Sequence, residues 1–152
     1  MSKLFETTEI NGMKLSNRFV RSATWEGMAG DDGAVTPKLT QTMVDLAQGG
    51  VGLIVTGHAY VSPEGQAGPW QLGIDRDELV DGLKSMCDEV HNAGGKIVVQ
   101  LAHAGNSAVE TAGNIPRAVS VFKENSESPR HELTKEDIKT LVKAFGDAAG
   151  RA

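Results

Sequence analysis

Short apolar runs alternate with amphipathic segments along most of the chain. Residues 51–56 (VGLIVT) and 96–100 (KIVVQ) are nearly continuous apolar runs, each preceded by a Gly-Gly pair. Runs of this length are typical of strands that are buried on both faces of a parallel sheet. Residues 18–23 (RFVRSA) form a further predicted strand, and a long polar loop is expected from the end of the second strand to about Asp75.

Three segments carry apolar residues at helical spacing. Thr36 and Pro37 predict the start of the first helix, because threonine is a favoured N-cap and proline fits the first helical position. Thr134 predicts the start of the third helix in the same way. The apolar stripe of the second helix consists of Leu79, Leu83, Met86 and Val90. The corresponding face of the third helix consists of Ile138, Leu141, Val142 and Phe145.

The order of these elements predicts the fold class. Asn11-Gly12 indicates the two-residue turn of a β-hairpin over residues 8–17. Three strand–helix units follow it, over about residues 18–48, 51–93 and 96–150. Regular alternation of strand and helix predicts an α/β fold with a parallel sheet, either doubly wound or closed into a barrel. No strand follows the third helix, so we expect the sheet to be completed by further chain or by a partner.

Composition narrows the classes of partner. The chain has 152 residues, 39% of them hydrophobic and 23% charged, which is ordinary for a globular domain. A net charge of −5 does not favour binding to nucleic acid or to an anionic membrane, and no apolar run is long enough to span a bilayer. The single cysteine, Cys87, predicts a reducing, cytoplasmic location.

The residues at the predicted strand ends are candidates for a ligand site, because parallel α/β sheets bind ligands there. These residues are Ser22, Ala23 and Thr24; Thr56, Gly57 and His58; and Gln100. Small residues let a flat ligand approach the backbone closely. The Gln100 amide can both donate and accept hydrogen bonds, which suits the imide edge of a ring. The alternative is that Gln100 pairs with a buried backbone group.

Two histidines, His58 and His103, follow neighbouring predicted strands and could in principle bind a metal. No His-x-His pair and no cluster of carboxylates accompanies them, so no metal site is predicted.

Three segments, LSNRFVRSATWEGM, GGVGLIVTGHAYVSPEGQ and VVQLAHAG, resemble the opening segments of the old yellow enzyme family of NADH:flavin oxidoreductases. The match runs in order over nearly the whole chain. The resemblance implies the N-terminal part of a (β/α)₈ TIM barrel, incomplete in this chain. It also implies FMN as cofactor, NAD(P)H as hydride donor, and an activated alkene or similar small molecule as substrate.

The resemblance also implies roles for particular positions. The positions that match cofactor-binding positions of the family are Ser22, Ala23, Thr24, Gly57, His58 and Gln100. The Gln100 amide would hydrogen-bond the pyrimidine edge of the flavin. Trp25 lies where many members carry a Cys or Thr that tunes the flavin, so its side chain is expected to face either the flavin or the substrate.

In this family the fourth strand bears the His/His or His/Asn pair that holds the substrate, and later strands bring the phosphate-binding loops. No catalytic residue is therefore predicted within these 152 residues, and we expect the chain alone to be inactive. The alternative is a free-standing partial barrel that acts as a binding or assembly module and self-associates.

Overall fold

The computed structural model of the chain describes residues 2–109, 115–120 and 130–152. It begins with the predicted hairpin, in which β1 (Thr8–Ile10) pairs antiparallel with β2 (Met13–Leu15). Asn11 and Gly12 both have positive φ angles, 45° and 86°. Two successive left-handed residues are what the favoured two-residue hairpin turn requires, so the turn prediction is confirmed.

A parallel three-stranded sheet follows the hairpin, in the order β3-β4-β5. Its strands are β3 (Val20–Arg21), β4 (Leu53–Tyr60) and β5 (Ile97–Ala102). The helices are α1 (Pro37–Gln48), α2 (Val80–Asn92) and α3 (Lys135–Arg151). An α/β fold with parallel strands in sequential order agrees with the prediction.

Two strand boundaries differ from the prediction. Only two residues of the first predicted strand, 18–23, are paired as β3. The second strand begins two residues later than predicted and runs on to Tyr60. It extends to Tyr60 because its last three residues pair with residues 100–102 of β5. The Tyr60 backbone also pairs with the following loop: Tyr60 N donates to Leu72 O, and Ile74 N donates to Tyr60 O, both at 3.0 Å.

The loop after β4 is less polar than expected. Val61, Gln71, Leu72 and Ile74 are each at most 5% exposed. The loop folds back along the end of β4 and contributes to the core at these positions, which the prediction of a long polar loop did not include. Hydrogen bonds to the Tyr60 backbone, invisible to sequence periodicity, hold the loop there.

Both predicted helix starts are confirmed. The Thr36 hydroxyl accepts from Leu39 N at 3.2 Å, with Pro37 as the first residue of α1. At α3, Thr134 Oγ1 accepts from Asp137 N at 3.2 Å, and the Asp137 carboxylate accepts from Thr134 N at 2.9 Å. This reciprocal capping box satisfies backbone donors that a helix start otherwise leaves unpaired.

The core lies between the sheet and the helices. The predicted stripe that leads into and along α2 is buried throughout, and it packs with residues of α1 and β4. Several members of this core are at most 1% exposed, among them Met43, Ile54, Met86 and Val90. Full burial of such aliphatic side chains stabilises a fold by about 1.5–3 kcal/mol each, so this layer fixes the positions of the strands.

The apolar face of α3 is covered much less. Ile138 is 49% exposed and Val142 is 69% exposed, whereas Ala148 is buried. Before α3, β6 (Arg117–Ala118) pairs in parallel with β7 (His131–Glu132). This pair was not predicted, because two-residue strands have no detectable periodicity. In the described part of the chain, no helix is both long and apolar enough to cross a membrane.

Candidate active site

The ladder between β4 and β5 contains an irregularity that determines which side chains lie side by side. Val55 pairs with Val98, but the next pair is His58 with Gln100. Between these two pairs, β4 has two residues, Thr56 and Gly57, whereas β5 has only Val99. This extra residue on one strand is the arrangement of a β-bulge. Because paired residues on neighbouring strands point to the same side of a sheet, His58 and Gln100 leave the same face.

That face is the one turned away from the helices. Ile97, Val99 and Leu101 pack against the helix-side core. Successive residues of a strand alternate between faces, so Val98 and Gln100 lie on the opposite face. Val98 is 40% exposed, in agreement with this assignment. Gln100 and His58 thus lie together near the carboxyl ends of two adjacent strands, on this face without helices, the inner face of the sheet.

The Gln100 side chain is exposed. Its backbone N–H donates to Thr56 Oγ1 at 3.3 Å, but its amide has no hydrogen-bond partner among the described residues. The alternative interpretation, that this amide pairs with a buried backbone group, has no support here. The amide is free to bind the polar edge of a ligand.

An ion pair holds the segment that leaves β3. Arg21 Nη2 lies 2.6 Å from Glu26 Oε1, and the two side chains are only 17% and 9% exposed. Arg21 also donates to Val55 O at 2.8 Å and to Thr24 O at 3.2 Å. These contacts tie residues 22–25 to β4, with Ser22 and Thr24 exposed and Ala23 partly buried. Sequence reasoning missed both ionic residues; an arginine inside a predicted strand was the available clue.

Gly57 is a glycine because of its neighbours within the chain. A Cβ at this position would overlap Glu26 Oε2 and lie 2.8 Å from Thr24 O. The Gly57 N–H also donates to Glu26 Oε1 at 3.3 Å. Close packing against Glu26 therefore explains the absence of a side chain, and a flavin contact at Gly57 stays a prediction.

His58 is held by a residue that sequence reasoning did not consider. Gln71 is 1% exposed, and its Nε2 lies 2.7 Å from His58 Nδ1 and 3.1 Å from His58 O. Gln71 Oε1 accepts from Ala67 N at 2.6 Å. A lone glutamine in a predicted loop has no pattern that would reveal this role.

Trp25 is 51% exposed. Its ring lies over Gly68, where an added Cβ would be 3.2 Å from Cη2. The side chain is therefore partly packed and partly in solvent, and its predicted contact with flavin or substrate is an open proposal.

Burial is the main cause of the pKa shifts of His103 and Cys87. Burial lowers the pKa of His103, its Nδ1 accepts from Gly105 N at 3.0 Å, and its Nε2 is buried without a partner in the described structure. Burial likewise raises the pKa of the Cys87 thiol, as expected for a packing residue. Among the described residues, no three or more His, Cys, Asp or Glu side chains form a group that could hold a metal ion.

Comparison with known proteins relates this arrangement to one family. The family model described as "NADH:flavin oxidoreductase / NADH oxidase family" matches residues 3–152. The chain is 40% identical over 153 residues to an NADPH dehydrogenase of Bacillus licheniformis, covering 99% of the chain and 44% of that protein. It is 35% identical over 147 residues to an NADH:acrylate oxidoreductase of Vibrio harveyi, covering 93% of the chain and 14% of that protein.

A solved structure shows the same fold. The crystal structure of Old Yellow Enzyme from Pichia sp. superimposes with a TM-score of 0.89 at 23% identity, covering 98% of this chain and 42% of that one. The chain thus spans less than half the length of each of these three proteins.

Proposed function

The chain belongs to the NADH:flavin oxidoreductase / NADH oxidase family, and from this premise we propose that it forms part of the flavin site of an FMN-dependent oxidoreductase. The family assignment confirms the cofactors that the sequence resemblance implied, FMN and NAD(P)H. When bound, FMN would supply the chemistry of hydride transfer from a reduced nicotinamide to an acceptor. We propose an activated alkene or a similar small molecule as that acceptor, and a cytoplasmic location.

The observation that supports this proposal most directly is the Gln100 amide. It is exposed, lacks a hydrogen-bond partner among the described residues, and lies on the inner face of the sheet beside His58. An amide in this state can donate to a ring carbonyl and accept from a ring N–H at once. The donor and acceptor groups of Gln100 therefore fit the pyrimidine edge of a flavin.

The other predicted contacts have distinct tasks. Ser22, Ala23 and Thr24 would lie along the ring system, held in place by the Arg21–Glu26 ion pair. Gly57 and His58 would contact the flavin from β4, and Trp25 would border the flavin or the substrate space. All of these chain residues bind and orient, and none is assigned a proton transfer.

Flavin titration of the protein in its full natural length tests the proposal. Gln100→Leu keeps a similar size but removes both polar groups, so FMN binding should weaken by about 1–3 kcal/mol. Gln48→Leu, at the exposed end of α1, is the matched control and should leave FMN binding unchanged. Unchanged FMN affinity and unchanged flavin reduction potential in Gln100→Leu would remove Gln100 from the site.

A second measurement tests the reaction. NADH or NADPH should bleach the bound flavin under anaerobic conditions, and an activated alkene should restore the oxidised spectrum. If neither nicotinamide bleaches the flavin, the proposed hydride transfer is wrong even where FMN binds.

We also propose that residues 18–48, 51–93 and 96–150 are three successive units of a TIM barrel. The exposed side chains Ile138 and Val142 of α3 would then be covered by further barrel segments, with self-association as the competing arrangement. Light scattering separates the two: a monomer in which hydrogen exchange at α3 is slow supports cover by the same chain, and a dimer supports self-association.

A further inference from the structure

We propose that Gln71 is a positioning residue that fixes the tautomer of His58, so that His58 presents its Nε2–H as a second hydrogen-bond donor beside Gln100. The ligand group that fits such a donor is an oxygen acceptor, such as the carbonyl oxygen of a ring or of an acyl group. The identity of this ligand rests on the proposed function, but the tautomer does not.

The orientation of the Gln71 amide follows from its partners. The backbone N–H of Ala67 points at one terminal atom from 2.6 Å. An N–H can donate only to the amide oxygen, since the amide nitrogen is itself a donor. Oε1 is therefore the atom facing Ala67, and Nε2 faces His58. With 1% of Gln71 exposed, water does not compete for either atom.

The orientation of Gln71 in turn determines the state of the imidazole. Gln71 Nε2 carries two hydrogens, and its two partners are His58 O at 3.1 Å and His58 Nδ1 at 2.7 Å. Because an amide nitrogen only donates, Nδ1 must offer a lone pair. A neutral imidazole has one N–H, so its proton is on Nε2.

The Nε2–H is available to a ligand. Nε2 of His58 has no hydrogen-bond partner in the described part of the chain and, unlike Nε2 of His103, is not sealed from solvent. The bulge at Thr56 and Gly57 puts His58 in register with Gln100 on the inner face. Two polar side chains from adjacent strands thus face the same space, each with an unused N–H.

The test of the tautomer uses the cofactor-free protein in its full natural length, labelled with ¹⁵N in its imidazoles. The expected spectrum shows Nδ1 of His58 unprotonated and Nε2 protonated, with His58→Phe used to assign the signals. Gln71→Glu should reverse the tautomer, because a carboxylate oxygen only accepts and requires Nδ1–H. Gln48→Glu makes the same charge change on the surface and should leave the tautomer unchanged.

Either of two results would overturn the positioning role: Nδ1–H in the unmodified protein, or the same Nε2–H tautomer in folded Gln71→Glu. The tautomer in the unmodified protein can be measured without any variant. The proposal therefore stays testable even if Gln71→Glu does not fold. A purely structural Gln71 would alter stability in its variants without reversing the tautomer.

Ligand titrations then identify the acceptor. If the donor binds the flavin, His58→Phe should weaken FMN binding about 5–10-fold, the equivalent of one hydrogen bond. If it binds the acceptor substrate, FMN affinity should be unchanged and the KM for an activated alkene should rise by a similar factor. No change in either quantity would overturn the donor role. Failure of the unmodified protein to bind FMN would contradict the proposed function while leaving the tautomer result standing.

Discussion

His58 lies opposite Gln100 in the parallel pairing of β4 with β5, at the place where a regular ladder continuing from Val55 and Val98 would put Gly57. Because of the extra residue in β4, the imidazole of His58 and not Gly57 lies beside Gln100 on the inner face. The extra residue also turns Gly57 toward Glu26, where a side chain would not fit. One local irregularity thus sets both the polar character of the site and the packing beside it.

The first prediction concerns that packing. Gly57→Ala would place a methyl group against Glu26 and 2.8 Å from the Thr24 carbonyl oxygen. Since backbone atoms cannot move away as a flexible side chain does, the free energy of unfolding should fall by about 1–3 kcal/mol, measured by urea denaturation. Gly146→Ala is the control. It lies in α3 with nothing within 4 Å of the added Cβ, and should stabilise slightly. Equal effects of the two variants would contradict the packing explanation.

The second prediction concerns the Arg21–Glu26 ion pair. Glu26→Gln leaves the largely buried Arg21 guanidinium without its counter-charge. Loss of one partner of a buried pair is strongly destabilising, so we expect a decrease of about 2–4 kcal/mol in the free energy of unfolding. Asp88→Asn breaks the exposed Lys84–Asp88 pair of α2 and should have no measurable effect. A similarly small effect of Glu26→Gln would show that the pair does not hold residues 22–25.

The third prediction concerns Trp25. Truncating a core tryptophan is expected to cost about 3–5 kcal/mol. Because half of the Trp25 side chain is in solvent, Trp25→Cys should lower the free energy of unfolding by less than this. If the ring borders the flavin, the same variant should shift the flavin absorbance or its reduction potential. Trp25→Phe, which keeps an aromatic ring, should give a smaller shift. A large drop in melting temperature without any spectral change would identify Trp25 as a packing residue.

The fourth prediction concerns pH. Burial lowers the pKa of His103 below its ordinary value of 6.5; the Arg117 charge lowers it further, and the Glu64 charge opposes the shift. The unfolded state therefore binds more protons than the folded state just below pH 6.5. Stability that is present above this pH should decline as the pH falls toward the folded-state pKa.

Urea denaturation between pH 7.5 and pH 5 checks this dependence. His103→Phe removes the titrating group and should flatten the decline, while lowering stability at all pH values through loss of the Gly105 hydrogen bond. His91→Asn, at the exposed end of α2, should keep the decline. An unchanged slope in His103→Phe would assign the pH dependence to other groups.

Features encoded by neighbouring residues were predictable from the sequence. The Asn11-Gly12 turn, the helix starts at Thr36 and Thr134, and the apolar stripe of α2 each depend on residues within a few positions of one another. The family resemblance was confirmed as well.

Features of the site that join distant segments were not predictable. Arg21 reaches a carbonyl group 34 residues away, and Gly57 pairs with Glu26 across 31 residues. The bulge in β4 has no sequence periodicity of its own, and Gln71 acts only once the loop has folded back on β4. The cofactor contacts of Ser22, Ala23, Thr24, Gly57, His58 and Gln100 stay predictions.

The capping box of α3 has a consequence for protein synthesis. Thr134 and Asp137 satisfy each other's backbone donors. These stabilising contacts lie within α3 and its N-cap, so the helix can form soon after it leaves the ribosome. Its apolar side, with Ile138 and Val142, would then be exposed on the nascent chain. Chaperones that bind apolar helical surface would have their target here until this side of α3 is covered.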